Sequence, residues 1–312
     1  MIFDWTQWTT VPVIFINLKI IYLVSKMIKH MKFNKNLAAI HAYLCGDGYV
    51  VKNPLTQKHT YYRIGLRNTN ITLLKDFQEK FTRVFGIRPI LTFERCQIGN
   101  RKIYESLTEN ESYYSYEWEL PQLSRENLKS WLRAFFDCEG WVENKPGKSR
   151  LIGLECCNAT GLKSVQQALM RFGIRSQIKK RPGRTIWRLT ICGLDNLNVY
   201  SKNIGFVHPT KKQKLTAAID SYKSYWWQIP TTKSELLEFV MDKGKLRKSR
   251  QLLRLLSIKR DNLEYIKKAL NKHHIHSKLF GPWKNNTGSL YYCLTISMTE
   301  VNTWKEQVRQ KS

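Results

Sequence analysis

Apolar and polar positions change their period along this chain in an order that occurs twice. From Leu37 to Leu44 apolar residues recur at helical spacing; the segment closes in Cys45-Gly-Asp-Gly48 and runs into Tyr49-Val-Val. From Leu128 to Phe136 the pattern returns, closing in Asp137-Cys-Glu-Gly140 before Trp141-Val. Helical periodicity that ends in acid-Gly and passes into β-branched and aromatic residues predicts a helix feeding a strand. The segments behind also correspond. Each predicts strands, then a helix (Thr72 to Phe85, and Leu162 to Phe172), then a Gly-Ile pair at 86–87 and 173–174. Further strands are expected at Pro89 to Arg95 and Tyr113 to Leu120 in the first copy, and at Ser176 to Arg181 and Thr185 to Cys192 in the second. The reading is a duplicated αββαββ unit of about 90 residues per copy. Alternation in Ile186-Trp-Arg-Leu-Thr-Ile191 gives its sheet one face on the helices and one face outward.

The last third of the chain reads differently. Ser234 to Lys243 predicts a helix with Ser234 as N-cap and Gly244 as its stop, and Leu246 to Leu256 a second helix. Asp261-Asn-Leu-Glu264 is a capping signature for a third, ending near His273, and two strands follow around Pro282 to Gly288, the second ending in Tyr291 to Ile296. Three short helices and a hairpin predict a winged helix-turn-helix. A degenerate third half-copy is the rival: Leu263, Ile266, Ala269, Leu270, Ile275 and Ser277 match Leu162, Val165, Ala168, Leu169, Ile174 and Ser176, and Leu-Thr-Ile recurs at 189–191 and 294–296. A helix before a hairpin produces such echoes by chance, so the winged helix is the expectation. The fold class is then α+β, with an N-terminal extension at 1–34, repeats at 35–123 and 124–222, and a small winged-helix-like domain at 223–312.

Charge adds a partner class. Lys and Arg number 52 against 24 Asp and Glu, a formal charge of +28, and the last region carries the same bias with 18 Lys/Arg against 7 Asp/Glu from Lys223 onward. Such an excess repels itself unless a polyanion neutralises it, which points to nucleic acid. The seven cysteines form no CxxC pair and no zinc spacing, as expected of reduced thiols inside a cell. The apolar stretch Val11 to Val24 contains Asn17 and Lys19, is too short to span a bilayer and lacks a small-residue cleavage site. No membrane partner is expected, and Met27 and Met31 each offer an alternative start.

Asp47 and Glu139 occupy matched places at the ends of the two duplicated helices. Phosphodiester hydrolysis needs a divalent metal to activate water and neutralise the leaving oxygen. Mg²⁺ keeps several waters, so one carboxylate per helix plus scissile phosphates suffices, with Mn²⁺ as substitute. The carbonyls of Gly46 and Cys138 are expected to add one oxygen each. Asp137 sits two residues earlier and points elsewhere on its helix.

The two acid-ended helices, Ile40 to Gly48 and Leu132 to Gly140, resemble the LAGLIDADG motif of the homing endonucleases, in the single-chain, two-motif form of archaeal intron-encoded members. The resemblance covers roughly residues 35 to 220, departing at Cys45, where the motif has an Asp, and at Glu139, where it has Asp. It implies two helices packed at a pseudo-twofold axis through Ala42, Gly46, Ala134 and Cys138, under a DNA-binding saddle. It implies a monomeric enzyme that cuts both strands of a long specific duplex site across the minor groove and leaves short 3′ overhangs. A basic helper is implied in Ile204 to Leu215, with Lys212 the best match and Lys211 and Lys214 close behind. It also implies an intracellular, DNA-associated location, in a prokaryotic cytoplasm or nucleoid or in an organelle.

Specificity is expected from outward strand positions lying in major grooves: Arg63 and Arg67 in the first copy, and Gln177, Lys179, Arg181, Arg188 and Thr190 in the second. Lys267, Lys268 and Lys272 fall on the expected recognition helix and Lys284 on the wing. Intron RNA maturation and non-catalytic DNA-binding regulation are the competing functions, with intron RNA then a partner. An intein is disfavoured, since neither an N-terminal nucleophile nor a C-terminal His-Asn is present.

Overall fold

A computed structural model describes residues 32–54, 56–145, 149–223, 227–285 and 290–310. Val11 to Val24, Met27, Met31 and nearly all of the expected N-terminal extension lie outside these residues.

The first unit runs α1 (Lys35–Cys45), β1 (Gly48–Lys52), β2 (Tyr62–Arg67), α2 (Ile71–Phe85), β3 (Ile90–Leu91), β4 (Arg95–Ile98) and α3 (Arg101–Thr108). The second runs α4 (Arg125–Glu139), β5 (Gly140–Lys145), β6 (Ser149–Cys156), α5 (Ala159–Met170), β7 (Gln177–Lys180), β8 (Trp187–Cys192) and α6 (Leu194–Asn203), followed by α7 (Pro209–Lys223). Their antiparallel sheets have the same order, β1-β2-β4-β3 and β5-β6-β8-β7. Local chemistry sets the boundaries. Asn34, Asn70 and Ser124 accept backbone N–H bonds at the starts of α1, α2 and α4. After α2 and α5 the chain turns through Gly86 at φ +69° and Gly173 at φ +76°, a left-handed step that glycine takes without Cβ strain.

The first copy departs from its expected strands in two places. Pro89 to Arg95 is not one strand but the start of a hairpin, β3 and β4, and a helix, α3, follows. Tyr113 to Leu120 is an irregular segment. Its alternating aromatics resemble a strand, but Trp118 is instead a buried plug, its ring 4.8 Å from Phe135 and 5.9 Å from Trp131.

The winged helix is corrected outright. Leu246 to Leu256 is not a helix but β9 (Lys245–Arg247), a 3₁₀ turn and β10 (Leu252–Ser257). Leucines at 252, 253, 255 and 256 fit both helical and strand periods, and tertiary packing chose the strand, with Leu253, Leu255 and Ser257 buried. Around it lie α8 (Lys233–Lys243), α9 (Arg260–Lys272), β11 (Lys278–Lys284), β12 (Leu290–Ser297) and α10 (Met298–Arg309). The sheet order β9-β10-β12-β11 repeats the first two units strand for strand. His274 at φ +59° stands where Gly86 and Gly173 stand, and Ile275 N donates to Leu270 O as Ile174 N does to Leu169 O. The N-caps shift too: Thr232, not Ser234, caps α8, and Asp261 lies inside the first turn of α9.

Two cores result. One joins the first two units, from Leu37 to Ile219; the other fills the third, from Leu236 to Trp304. At the centre of the first, α1 packs along α4, and α1 is buried from Leu37 to Cys45. Trp131 Nε1 donates to His41 Nδ1 at 3.0 Å, so the His41 ring donates from Nε2 to Glu111 at 3.3 Å. The helices come closest where a Cβ on Gly46 would lie 2.7 Å from Cys138 Cβ. Gly46→Val should therefore lower unfolding stability by about 1–3 kcal/mol through overpacking. Denaturant melts check this, and an unchanged midpoint would show that the helices do not meet there.

Candidate active site and nucleic-acid interface

Asp47 follows the end of α1, and Glu139 is the last residue of α4. Because the helices touch at Gly46 and Cys138, the carboxylates one residue further on enter the same space. Asn68 Nδ2 donates to Asp47 Oδ2 at 2.7 Å and fixes that carboxylate. Partial burial first, and the Asp47 charge second, push the Glu139 carboxyl up to about 7, against the pull of Lys211. Its folded pKa exceeds that of an unfolded glutamate. The neutral acid therefore favours the fold, a contribution fully present below about pH 4.5 and lost as pH rises through about 7.

Asp137 turns away from this space. Val207 N and His208 N donate to its carboxylate at 3.0 Å, and burial raises it to about 6 despite those bonds. The same loop reaches the first unit, where the Asn70 amide meets His208 Nε2 at 3.3 Å.

Lys212, the expected helper, is exposed; Lys211 takes the position instead. Its Nζ donates to the carbonyls of Asp137 at 2.6 Å, Cys138 at 3.2 Å and Phe136 at 3.3 Å. The reason is helix phase: α7 starts at Pro209 and buries Leu215 and Ala218, which puts 211, not 212, on the inner face. That phase was readable in the sequence. Burial lowers the Lys211 pKa, against the acids around it.

Among the described residues no three His, Cys, Asp or Glu side chains gather to hold a metal. The donor set is two carboxylates with backbone oxygens, which suits a hard cation that completes its shell with water and phosphate. Burial and Asp47 disfavour the ionised form of Glu139, so a cation between the two carboxylates would be favoured there. The Cys138 carbonyl already accepts from Lys211, so it serves a metal only in competition with that ammonium.

The open sheet faces flank this centre. In the first unit Arg63 and Arg67 point outward on β2 while Ile64 and Leu66 are buried. Register brings Arg95 opposite Arg67 and Gln97 opposite Gly65, so both share that face, which sequence alternation within one strand did not reveal. In the second unit Gln177 pairs with Thr190 and Lys179 with Arg188. Glu155 on the same face holds Arg181 at 2.7 Å and Arg188 at 2.6 Å, so neither guanidinium is free-standing.

Residues 126–205 match the family model of the LAGLIDADG-like domain. The second unit is a LAGLIDADG-like domain. Relatives include the replication factor C small subunits of Thermococcus kodakarensis, 27% identical over 265 residues, covering 76% of this chain and 29% of that protein. That of Pyrococcus horikoshii is 27% identical over 167 residues, covering 49% and 18%. The chain thus spans less than a third of either relative's length. Similar solved structures include I-DmoI in complex with DNA and Mn, at 17% identity and TM-score 0.41, covering 54% of this chain and 97% of that one. Full-length DUF199/WhiA from Thermatoga maritima aligns at 13% identity and TM-score 0.42, covering 78% of each chain.

The third unit lacks the acid. Its Gly244 corresponds to Gly48 and Gly140, so Lys243 stands where Asp47 and Glu139 stand, paired with Asp242 at 2.6 Å. The expected recognition-helix residues are also corrected. Lys267, Lys268 and Lys272 lie on α9, which packs Leu263, Ile266 and Leu270 against the back of the sheet, and Lys284 ends β11.

If Asp47 and Lys211 set the state of Glu139, Asp47→Asn should lower its pKa and Lys211→Met should raise it, with Lys212→Met neutral. Carboxyl NMR titration reads this directly. A Glu139 pKa indifferent to Asp47 would separate the two acids.

Proposed function

We propose that the chain is a monomeric, metal-dependent endonuclease that cuts both strands of a specific DNA duplex. The observation that carries this reading is the convergence of Asp47 and Glu139 at the crossing of α1 and α4, between two outward-facing basic sheets. A divalent cation, Mg²⁺ or Mn²⁺, supplies Lewis acidity at the scissile phosphate and lowers the pKa of an attacking water. Asp47, oriented by Asn68, and Glu139 are the carboxylates that would hold such cations, one for each DNA strand. Their charge also favours ionised Glu139, which otherwise takes up a proton near neutral pH. Lys211 keeps a positive charge against the ends of the α4 carbonyls, beside the phosphate that the site receives. Arg63, Arg67, Arg95 and Gln97 read one half-site and Gln177, Lys179, Arg181, Arg188 and Thr190 the other, with Glu155 holding the two arginine forks in place.

Regulation without cleavage, or maturation of an intron RNA, would need the sheet faces but not two carboxylates placed together at some electrostatic cost. That cost favours the enzyme.

Asp47→Asn and Glu139→Gln are each expected to abolish double-strand cutting in Mg²⁺ while duplex binding persists. The expected affinity falls by orders of magnitude between about 50 and 200 mM salt, as several phosphate contacts require. Cleavage selections on a randomised duplex library, with mobility shifts alongside, test both. Full cutting by the double variant would end the assignment.

A further inference from the structure

The third unit keeps the topology of the other two and changes what its open sheet face presents. In the first two units an aromatic on the strand after the motif lies across a glycine of the neighbouring strand: Tyr49 over Gly65 and Trp141 over Gly153. The corresponding register in the third unit is Lys245 opposite Arg254. The row continues through Thr295, opposite Arg254, to Lys278, opposite Thr295. Three cations and a hydroxyl thus form one line across four strands. Among the described residues neither Arg254 nor Lys278 is paired with a carboxylate, unlike Arg181 and Arg188 on the second sheet.

Aromatics lie beyond that row on the same face. Phe280 is 43% exposed and Trp283 41%, their rings nearly parallel at 15° with centroids 6.1 Å apart. Tyr291 abuts Trp283 at 5.8 Å. Phe280 and Trp283, with Arg254, Thr295 and Lys278 of that row, line a shallow groove of about 750 Å³, with Glu300 as its acid. Exposed rings gathered into one patch mark an interaction surface.

We propose that this face is a binding site for unpaired nucleotides of single-stranded RNA, separate from the Asp47–Glu139 centre and independent of its activity. The cationic row takes the phosphates, and Phe280 and Trp283 stack bases. A duplex cannot use this platform, because the faces of its bases are covered by their own neighbours and only their edges are open. A four-stranded antiparallel sheet carrying exposed aromatics suits bases splayed out of loops and ends, where RNA presents them. Thr295 supplies the preference for ribose. Its hydroxyl donates to the Lys278 carbonyl at 3.4 Å and keeps its lone pairs for a 2′-hydroxyl.

The test uses the full chain and fluorescence anisotropy at fixed salt. The probes are an unstructured RNA of about twelve nucleotides, within the range that single-strand sites cover, the DNA of the same sequence, and its duplex. The expected order is RNA tightest at this site. Replacing both Phe280→Ala and Trp283→Ala should weaken RNA binding by at least about tenfold and leave duplex binding unchanged, whereas Trp283→Phe retains RNA binding. Because both rings are exposed, the variants should melt with the parent, and Arg254→Gln with Lys278→Gln gives a second route to the same loss. The proposal is overturned if the aromatic double variant binds RNA as the parent does, if single-stranded DNA binds as tightly as RNA, or if duplex affinity falls in step.

Discussion

The close crossing of α1 and α4 governs the rest of the first two units. At Gly46 and Cys138 the helices approach so nearly that Gly46 has no room for a Cβ, and each ends within a residue or two of that point. Everything next in sequence is therefore forced into one place: two carboxylates, and the strands β1 and β5 that lead into two separate sheets. The crossing is held from within by the buried Trp131–His41–Glu111 chain and by apolar packing along both helices. A buried hydrogen-bonded chain of that kind fixes register, since sliding either helix leaves a buried nitrogen without a partner.

That geometry carries an electrostatic cost which the surrounding structure offsets only in part. Like charges at close range in a half-buried site disfavour ionisation, and Glu139 answers by holding its proton to about pH 7. Lys211 moderates the penalty but is itself spent on three carbonyl oxygens at the end of α4. Asp137, two residues away, is satisfied by backbone N–H groups of Val207 and His208 and serves to dock the loop that delivers Lys211. Three acids within one helical stretch and its neighbour thus differ in role because their partners differ. A site left short of positive charge is stable enough to fold and still has reason to bind a cation.

Much of this was legible in the chain. The two acid-glycine endings, their matched helices and the Gly-Ile pairs gave the duplication, because each has a strict local cause: helix termination, a left-handed step, a strand start. Legibility failed where two periods fit one segment. Leu252 to Leu256 satisfies a helical and a strand pattern alike, and only burial of Leu253 and Leu255 against α9 and β12 decides between them. The aromatic run from Tyr113 to Trp118 misled in the opposite direction, since its alternation serves to plug the core beside Gly161 rather than to build a sheet. Lys211 was placed behind Lys212 for a smaller reason, one residue of helix phase. Arg95 and Gln97 were missed because a face is a property of paired strands, and register between distant segments is not written in either one.

The third unit separates what this topology requires from what a site requires. Its core positions are kept: Leu253 and Leu255 on β10, Leu263, Ile266 and Leu270 on α9, and Leu294 and Ile296 on β12 pack as their counterparts do. His274 even holds the left-handed turn where the other units use glycine, accepting local strain to preserve the path of the chain. The positions that differ are those that topology leaves free. Lys243 replaces the acid, the glycine-aromatic contact gives way to Lys245 and Arg254, and aromatics collect at the β11–β12 edge. Without a second motif helix against α8, the crossing that brings two carboxylates together has no equivalent here, and an acid at position 243 would have had no partner across it. The unit's fold does not need a carboxylate at 243, and its outer sheet face is a surface on which side chains can differ without disturbing the packing behind them.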